Sequence, residues 1–170
     1  MNRNVEIKAR VASREAIERR VRDLADEGPV TLVQEDTFFV CPRGRLKLRR
    51  LGATEGELIY YERPDSAEPK ESRYAVCRTP DPEGLAATLS LALGVRGVVR
   101  KSRTLYLVGP TRIHLDSVER LGEFVELEVV LRPDQSASDG AAIARDLMAR
   151  LGISCDQFVR EAYIDLLEAL

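Results

Sequence analysis

The chain has 170 residues, 44% of them hydrophobic and 32% charged, which is enough for one buried core and short for two. A formal net charge of −2 excludes an overall basic field that would hold nucleic acid or an acidic membrane, so any anion site has to be local. The single histidine, His114, excludes metal sites built on two or more imidazoles, and Cys41, Cys77 and Cys155 form no C-x-x-C pair, which argues against zinc and disulfides and for three small core residues.

The first predicted strand covers 4–11, NVEIKARV, with Glu6, Lys8 and Arg10 on one parity and Val5, Ile7, Ala9 and Val11 on the other. Ser13 then caps a helix whose Ile17, Val21, Leu24 and Ala25 share a face, and Gly28 with Pro29 ends it. Strands follow at 35–41, 45–51, 57–63 and 72–78, with a turn containing Pro42 and Gly44 between the first two and an exposed loop, PDSAEPKE, at 64–71. Asp81 caps a second helix with Pro82 at its first position, a Leu85, Leu89, Leu93 stripe and Gly94 as its stop. Strands at 98–108 and 111–117 flank Gly109 and Pro110, and another spans 123–131. After the linker at 132–140, a third helix runs from Gly140 to Leu151 and a fourth from Asp156 to the end, carrying Phe158, Ala162 and Leu166. All four helices read as amphipathic, so each is expected to lay one face on an apolar surface. The expectation is a single globular domain over 1–170. With no signal-peptide pattern and no apolar run of about 20 residues, a soluble, cytoplasmic protein without a membrane partner is expected.

The pattern of the first strand recurs. RLKLRR sets Lys47 and Arg49 against Leu46 and Leu48; TRIHLD sets Arg112, His114 and Asp116 against Ile113 and Leu115; FVELEVV sets Glu126 and Glu128 against Val125, Leu127 and Val129. VRKSRTLYLV shares it in part, since Lys101 and Arg103 agree in parity while Arg100 does not. For one strand this is the ordinary signature of a solvated sheet face. Repeated over many strands, with helices available to cover the apolar sides, it points to charged sides facing a shared groove, as in a closed antiparallel barrel. Lys8, Lys47, Arg49, Lys101, Arg103 and Arg112 would then crowd one lumen, and a polyanion such as triphosphate would relieve their repulsion. Glu6, Asp116, Glu126 and Glu128 are poor phosphate ligands alone, but they suit Mg2+ or Mn2+, which in turn binds phosphates.

These residues resemble the CYTH proteins, or triphosphate tunnel metalloenzymes, whose hallmark is E-x-E-x-K in the first strand. VEIKARV, GRLKLRR, ELIYYERP, VVRKSRTLYL, TRIHLDSVERLGEFVELEVV and EAYIDLL occur in the family's order and are most similar to its class IV adenylyl cyclase branch. The resemblance implies an α+β fold: a closed eight-stranded antiparallel tunnel with helices packed outside. It implies metal-binding acids at Glu6, Asp116, Glu126 and Glu128, and phosphate-binding bases at Lys8, Lys47, Arg49, Lys101, Arg103 and Arg112, with Arg63 and Arg73 also reaching the phosphates. Glu6, Lys8, Lys101, Arg103 and Asp116 would be catalytic. Two positions depart from the pattern: Asn4 replaces the first acid of E-x-E-x-K, and a lysine common near Glu62 is missing. The activity implied is conversion of ATP to cyclic AMP and pyrophosphate. The alternatives are hydrolysis of inorganic or thiamine triphosphate, and non-catalytic binding of a nucleotide or polyphosphate. A possible homodimer fits a barrel with one helix layer. His114 reads equally as a general base, a nucleotide contact or a hydrogen-bond partner of a neighbouring acid. Tyr60, Tyr61 and Tyr106 read as packing residues.

Overall fold

The computed structural model describes residues 2–170. The chain runs through β1 (Asn2–Arg10), α1 (Arg14–Leu24), β2 (Glu27–Phe39), β3 (Arg45–Arg50), β4 (Gly56–Glu62), β5 (Lys70–Thr79), α2 (Pro82–Leu93), β6 (Val95–Val108), β7 (Thr111–Val118), β8 (Gly122–Val130) and α3 (Ala137–Arg150). A 3-10 turn at Cys155–Gln157 and α4 (Tyr163–Glu168) complete it. The strands close into one antiparallel barrel in the order β1-β5-β4-β3-β2-β6-β7-β8, with β8 pairing back onto β1. Closure leaves no unpaired sheet edge and divides every strand into an inward and an outward set of side chains.

The outward apolar set of β1, β7 and β8 makes the main core. Val5, Ile7, Ile113, Leu127 and Val129 are buried there against Ala144, Leu147 and Met148 of α3, with Ile17 and Val21 of α1 beside them. Each fully enclosed aliphatic side chain contributes about 2 kcal/mol of hydrophobic stabilisation. Both helices are anchored at their starts: Ser13 accepts from the Ala16 amide, and Ser136 with Asp139 forms a reciprocal capping box. A second cluster closes one end of the barrel, where Phe38, Val99, Val118 and Phe124 meet Val159, Tyr163 and Ile164.

Four expectations are corrected. The first helix ends at Leu24, and Gly28 and Pro29 belong to β2, which begins at Glu27 instead of residue 35. A register shift between Glu27 and Val30 accommodates Pro29, which has no N–H to give the ladder. Gly28 is required there: its φ is +113°, and a Cβ would lie 2.8 Å from the Leu105 carbonyl oxygen. The last helix does not begin at Asp156. Phe158 bridges to Ala9, the Val159 amide bonds the Lys8 carbonyl at 2.9 Å, and residues 158–162 form an extended strap before α4. Pairing with β1 offers those amides partners that a helix would otherwise supply. Not every helix buries a face, since only Pro82 of α2 is buried. Nor are the cysteines core residues: Cys77 and Cys155 are exposed and Cys41 is half-buried. Among the described residues no helix is long and apolar enough to cross a membrane.

Gly140 sets how closely α3 approaches the barrel, because a Cβ there would stand 2.7 Å from Leu131 Cδ2 and 2.8 Å from Val5 Cγ2. Val5 is β-branched and fully packed, so it cannot swing aside. Gly140→Ala is expected to destabilise the fold by about 1–3 kcal/mol through overpacking, read as a Tm lowered by several degrees in thermal denaturation.

Candidate active site

The inward parity of the strands builds a cavity of about 600 Å³ along the barrel axis. Eight of its lining side chains are Lys or Arg and five are Asp or Glu. Asn4, Glu6 and Lys8 come from β1, Lys47 and Arg49 from β3, Lys101 and Arg103 from β6, Arg112 from β7, and Glu126 and Glu128 from β8. Arg63, one residue past β4, also lines it. Ten of the twelve site residues expected from the sequence therefore line the cavity itself, and Asp116 joins them from beneath through Lys101 and Arg103.

Arg73 does not. Its neighbours Ser72 and Tyr74 take the inward positions of β5, so Arg73 points outward, pairs with Glu71 at 3.2 Å and is largely exposed. Strand parity thus turns it away from the cavity wall. Glu62 likewise faces out, between the cavity-lining Tyr61 and Arg63. Tyr61, read as packing, lines the cavity, while Tyr106 does pack, its buried hydroxyl donating to Glu18 at 2.7 Å.

Two buried acids organise the bases. Asp116 is wholly enclosed and accepts from Arg103 Nε and Nη2, both at 2.6 Å, from Lys101 Nζ at 3.1 Å and from the Tyr163 hydroxyl at 2.9 Å. Asp36, on β2, accepts from Lys47 at 2.8 Å and from Arg49 at 2.8 and 2.9 Å. Burial opposes the charge on both carboxyls, but the cations beside them win, and both are held far below the usual carboxylate range. The cations respond oppositely by type. Burial, reinforced by Arg103, pushes Lys101 down to about 7 despite Asp116, whereas Arg103 stays charged well above its ordinary value because Asp116 and Glu126 outweigh its burial.

The remaining acids form a separate group. Glu126 accepts from Arg103 at 2.7 Å and lies 3.9 Å from Lys8; Glu128 lies 3.6 Å from Arg112; Glu6 pairs with Arg63 at 2.8 Å. Burial and the two neighbouring glutamates raise Glu6, while Lys8, His114 and Arg103 hold Glu126 low against its burial. His114 Nδ1 stands 3.7 Å from Glu126 and 3.9 Å from Glu128, and one atom from each of the three residues lies within 4.8 Å of the others. Two carboxylates and an enclosed ring nitrogen without a protein partner fit a divalent cation. Asp116, saturated by four donors, lies outside that group. Asn4 is buried with its Oδ1 also lacking a protein partner, so the amide at the departing position is a further oxygen turned from solvent.

The strap supplies the floor. The carbonyl of Glu161 accepts from Lys8, and that of Arg160 from both Lys70 and Arg63, each at 3.2 Å. The Tyr163 ring lies 4.0 Å from Lys8 Nζ and 5.0 Å from Lys101 Nζ, a cation–π seat for both ammonium groups. Asp36, Lys70 and Tyr163 were not singled out from the sequence. Asp36 sits in QEDTFF, whose inward parity (Gln34, Asp36, Phe38) was available as a signal; nothing in EAYIDLL distinguishes Tyr163 from a packing residue.

A closed antiparallel barrel with an ionic lumen, basic clamps and a carboxylate group at one wall is the architecture of a triphosphate tunnel. The CYTH domain pattern matches residues 2–163, and the chain belongs to that family. It is 28% identical over 134 residues to the adenylate cyclase CyaB of Aeromonas hydrophila, spanning 64% of this chain and 70% of that one. Its structure is similar to the PH1012 protein of Pyrococcus horikoshii, with a TM-score of 0.86, 29% identity and coverage of 96% and 98% of the two chains. It shares its fold with HpAC1 of Hippeastrum, an adenylyl cyclase candidate described as having a dominant triphosphatase activity (TM-score 0.65, 16% identity, 98% and 95% covered). CYTH tunnel enzymes are metal-dependent and act on triphosphates such as ATP, as adenylate cyclases or triphosphatases.

Asp36→Asn removes the charge that balances Lys47 and Arg49, and is expected to cost about 3 kcal/mol, typical of breaking a buried pair. The carboxyls of Asp36, Asp116 and Glu126 are depressed in the fold, so their stabilisation is complete above the unfolded range near pH 4 and is lost as pH falls below it. Urea denaturation from pH 7 to pH 3 should show stability falling on the acid side, with a shallower fall in Asp36→Asn.

Proposed function

We propose that this protein is a metal-dependent adenylyl cyclase that converts ATP to cyclic AMP and pyrophosphate. The observation that carries the reading is the convergence of two acid-anchored basic pairs, Lys47 with Arg49 and Lys101 with Arg103, on one cavity beside Glu126 and Glu128. A linear triphosphate presents a row of oxygens to such clamps, and the planar forks of Arg49, Arg63 and Arg103 suit them. The sector lined by Ile59, Tyr74 and Val76 carries no charge, and Val76 is 43% exposed, which supports a substrate with an organic moiety.

In the reaction the ribose 3′-oxygen attacks the α-phosphorus, the bond to the β-bridging oxygen breaks, and pyrophosphate departs with the charge of that bond. Lys8, Lys101 and Arg103 stabilise the charge gathering on the leaving group. Asp116 and Asp36 hold the bases in place before the substrate arrives, so little reorganisation accompanies the step. Glu126 and Glu128, with Glu6 nearby, would hold Mg2+ or Mn2+, which supplies Lewis acidity at the α-phosphoryl group and lowers the pKa of the attacking hydroxyl. No side chain is placed as a dedicated base, and the hydroxyl proton leaves to water.

Incubation with ATP, tripolyphosphate and thiamine triphosphate in Mg2+ or Mn2+, with the products resolved by chromatography, tests this. Cyclic AMP and pyrophosphate without orthophosphate are expected. Orthophosphate from tripolyphosphate would assign a hydrolase instead, and tight binding without turnover a binding module. Glu126→Gln should lower kcat at least about a hundredfold while triphosphate binding is largely kept.

Burial pushes Lys101 down to about 7, and it must be charged to grip an anion. A bound polyphosphate raises its pKa, so binding at pH 8 should take up a proton and weaken as pH rises from 7 to 9. Calorimetry in buffers of different ionisation enthalpy would read that uptake directly.

A further inference from the structure

The proposed reaction gives His114 no task, although it is enclosed beside the lumen acids. It lies on β7, directly opposite Glu126 on β8, with Glu128 one step along the same face. The residue is 4% exposed, and its Nδ1 is enclosed without a protein hydrogen-bond partner. Leaving an enclosed ring nitrogen unpaired is costly, and buried polar groups are seldom left so. The carboxylates of Glu126 and Glu128, at 3.7 and 3.9 Å, are too distant for hydrogen bonds. Both are near enough for one small cation to touch all three atoms, which lie within 4.8 Å of one another.

We infer that His114 Nδ1 is a protein ligand of the divalent ion held by Glu126 and Glu128, and that this nitrogen makes the site select Mn2+ over Mg2+. The inference rests on the metal-dependent reading above and adds the identity of the ion. A hard, small Mg2+ is satisfied by oxygen and keeps its waters, whereas an imidazole nitrogen favours a first-row transition ion. An all-carboxylate wall would lack that preference. The strand register explains why the ring is committed: Leu105 flanks it on β6 and Glu126 on β8. Burial and the Arg103 charge favour its neutral form, which is the form that ligates.

The chain contains one histidine, so a single spectrum decides. Tag-free protein loaded with Mn2+ and studied by electron spin echo envelope modulation should show the nitrogen coupling of a directly bound imidazole. In His114→Gln that coupling should vanish, with Mn2+ affinity reduced about tenfold and Mg2+ affinity changed by less than about twofold. Bound Mn2+ without imidazole modulation, or equal losses for the two ions, would overturn the inference. If the protein whose bound Mn2+ lacked imidazole modulation still converted ATP to cyclic AMP, the proposed function would stand while the role of His114 fell. Failure to bind Mn2+ with or without tripolyphosphate would remove both. Should His114→Gln fail to fold, the wild-type spectrum still gives the answer.

Discussion

The structure depends on keeping many positive charges close together in one cavity. Two enclosed carboxylates make this possible. Asp36 holds the β3 pair and Asp116 the β6 pair, each through several short charge-assisted hydrogen bonds. Like charges at such spacing would otherwise drive the bases toward solvent or neutralise them, and burial, with Arg103 adding to it, pushes Lys101 down to about 7 even so. The arginines, which cannot shed their protons, remain the fixed part of the clamp.

The same constraint explains the division of labour among the acids. Asp116 spends its hydrogen-bonding capacity on Arg103, Lys101 and Tyr163 and so serves the bases, whereas Glu126, Glu128 and His114 share a gap with unfilled capacity. In the resemblance these acids are alike; in the structure Asp116 and the Glu126, Glu128 and His114 group have different neighbours.

The C-terminal strap ties the ionic lumen to the apolar core. Its carbonyls accept from Lys8, Arg63 and Lys70, while Tyr163 packs edge-on against Phe124 at 5.0 Å and bonds Asp116 with its hydroxyl. Without the strap, the end of the barrel closed by Phe38 and Val99 would open to water, and the electrostatic interactions inside would weaken.

The amino-acid sequence by itself determined the eight strands, the first three helices and the inward set of charges, because alternation in a strand fixes which side chains share a face whatever the partner strand is. It therefore placed Glu6, Lys8, Lys47, Arg49, Lys101, Arg103, Glu126 and Glu128 together. Periodicity does not count residues past a proline or weigh one backbone partner against another. So the sequence signals a helix stop where β2 begins and a helix where the extended strap runs. The inward position of Asp36, the outward turn of Arg73 and the meeting of Tyr163 with Asp116 across 47 positions were decided by tertiary structure alone. Each depends on strand register and on which distant segment reaches the barrel first, and those are set by the packing of the whole chain.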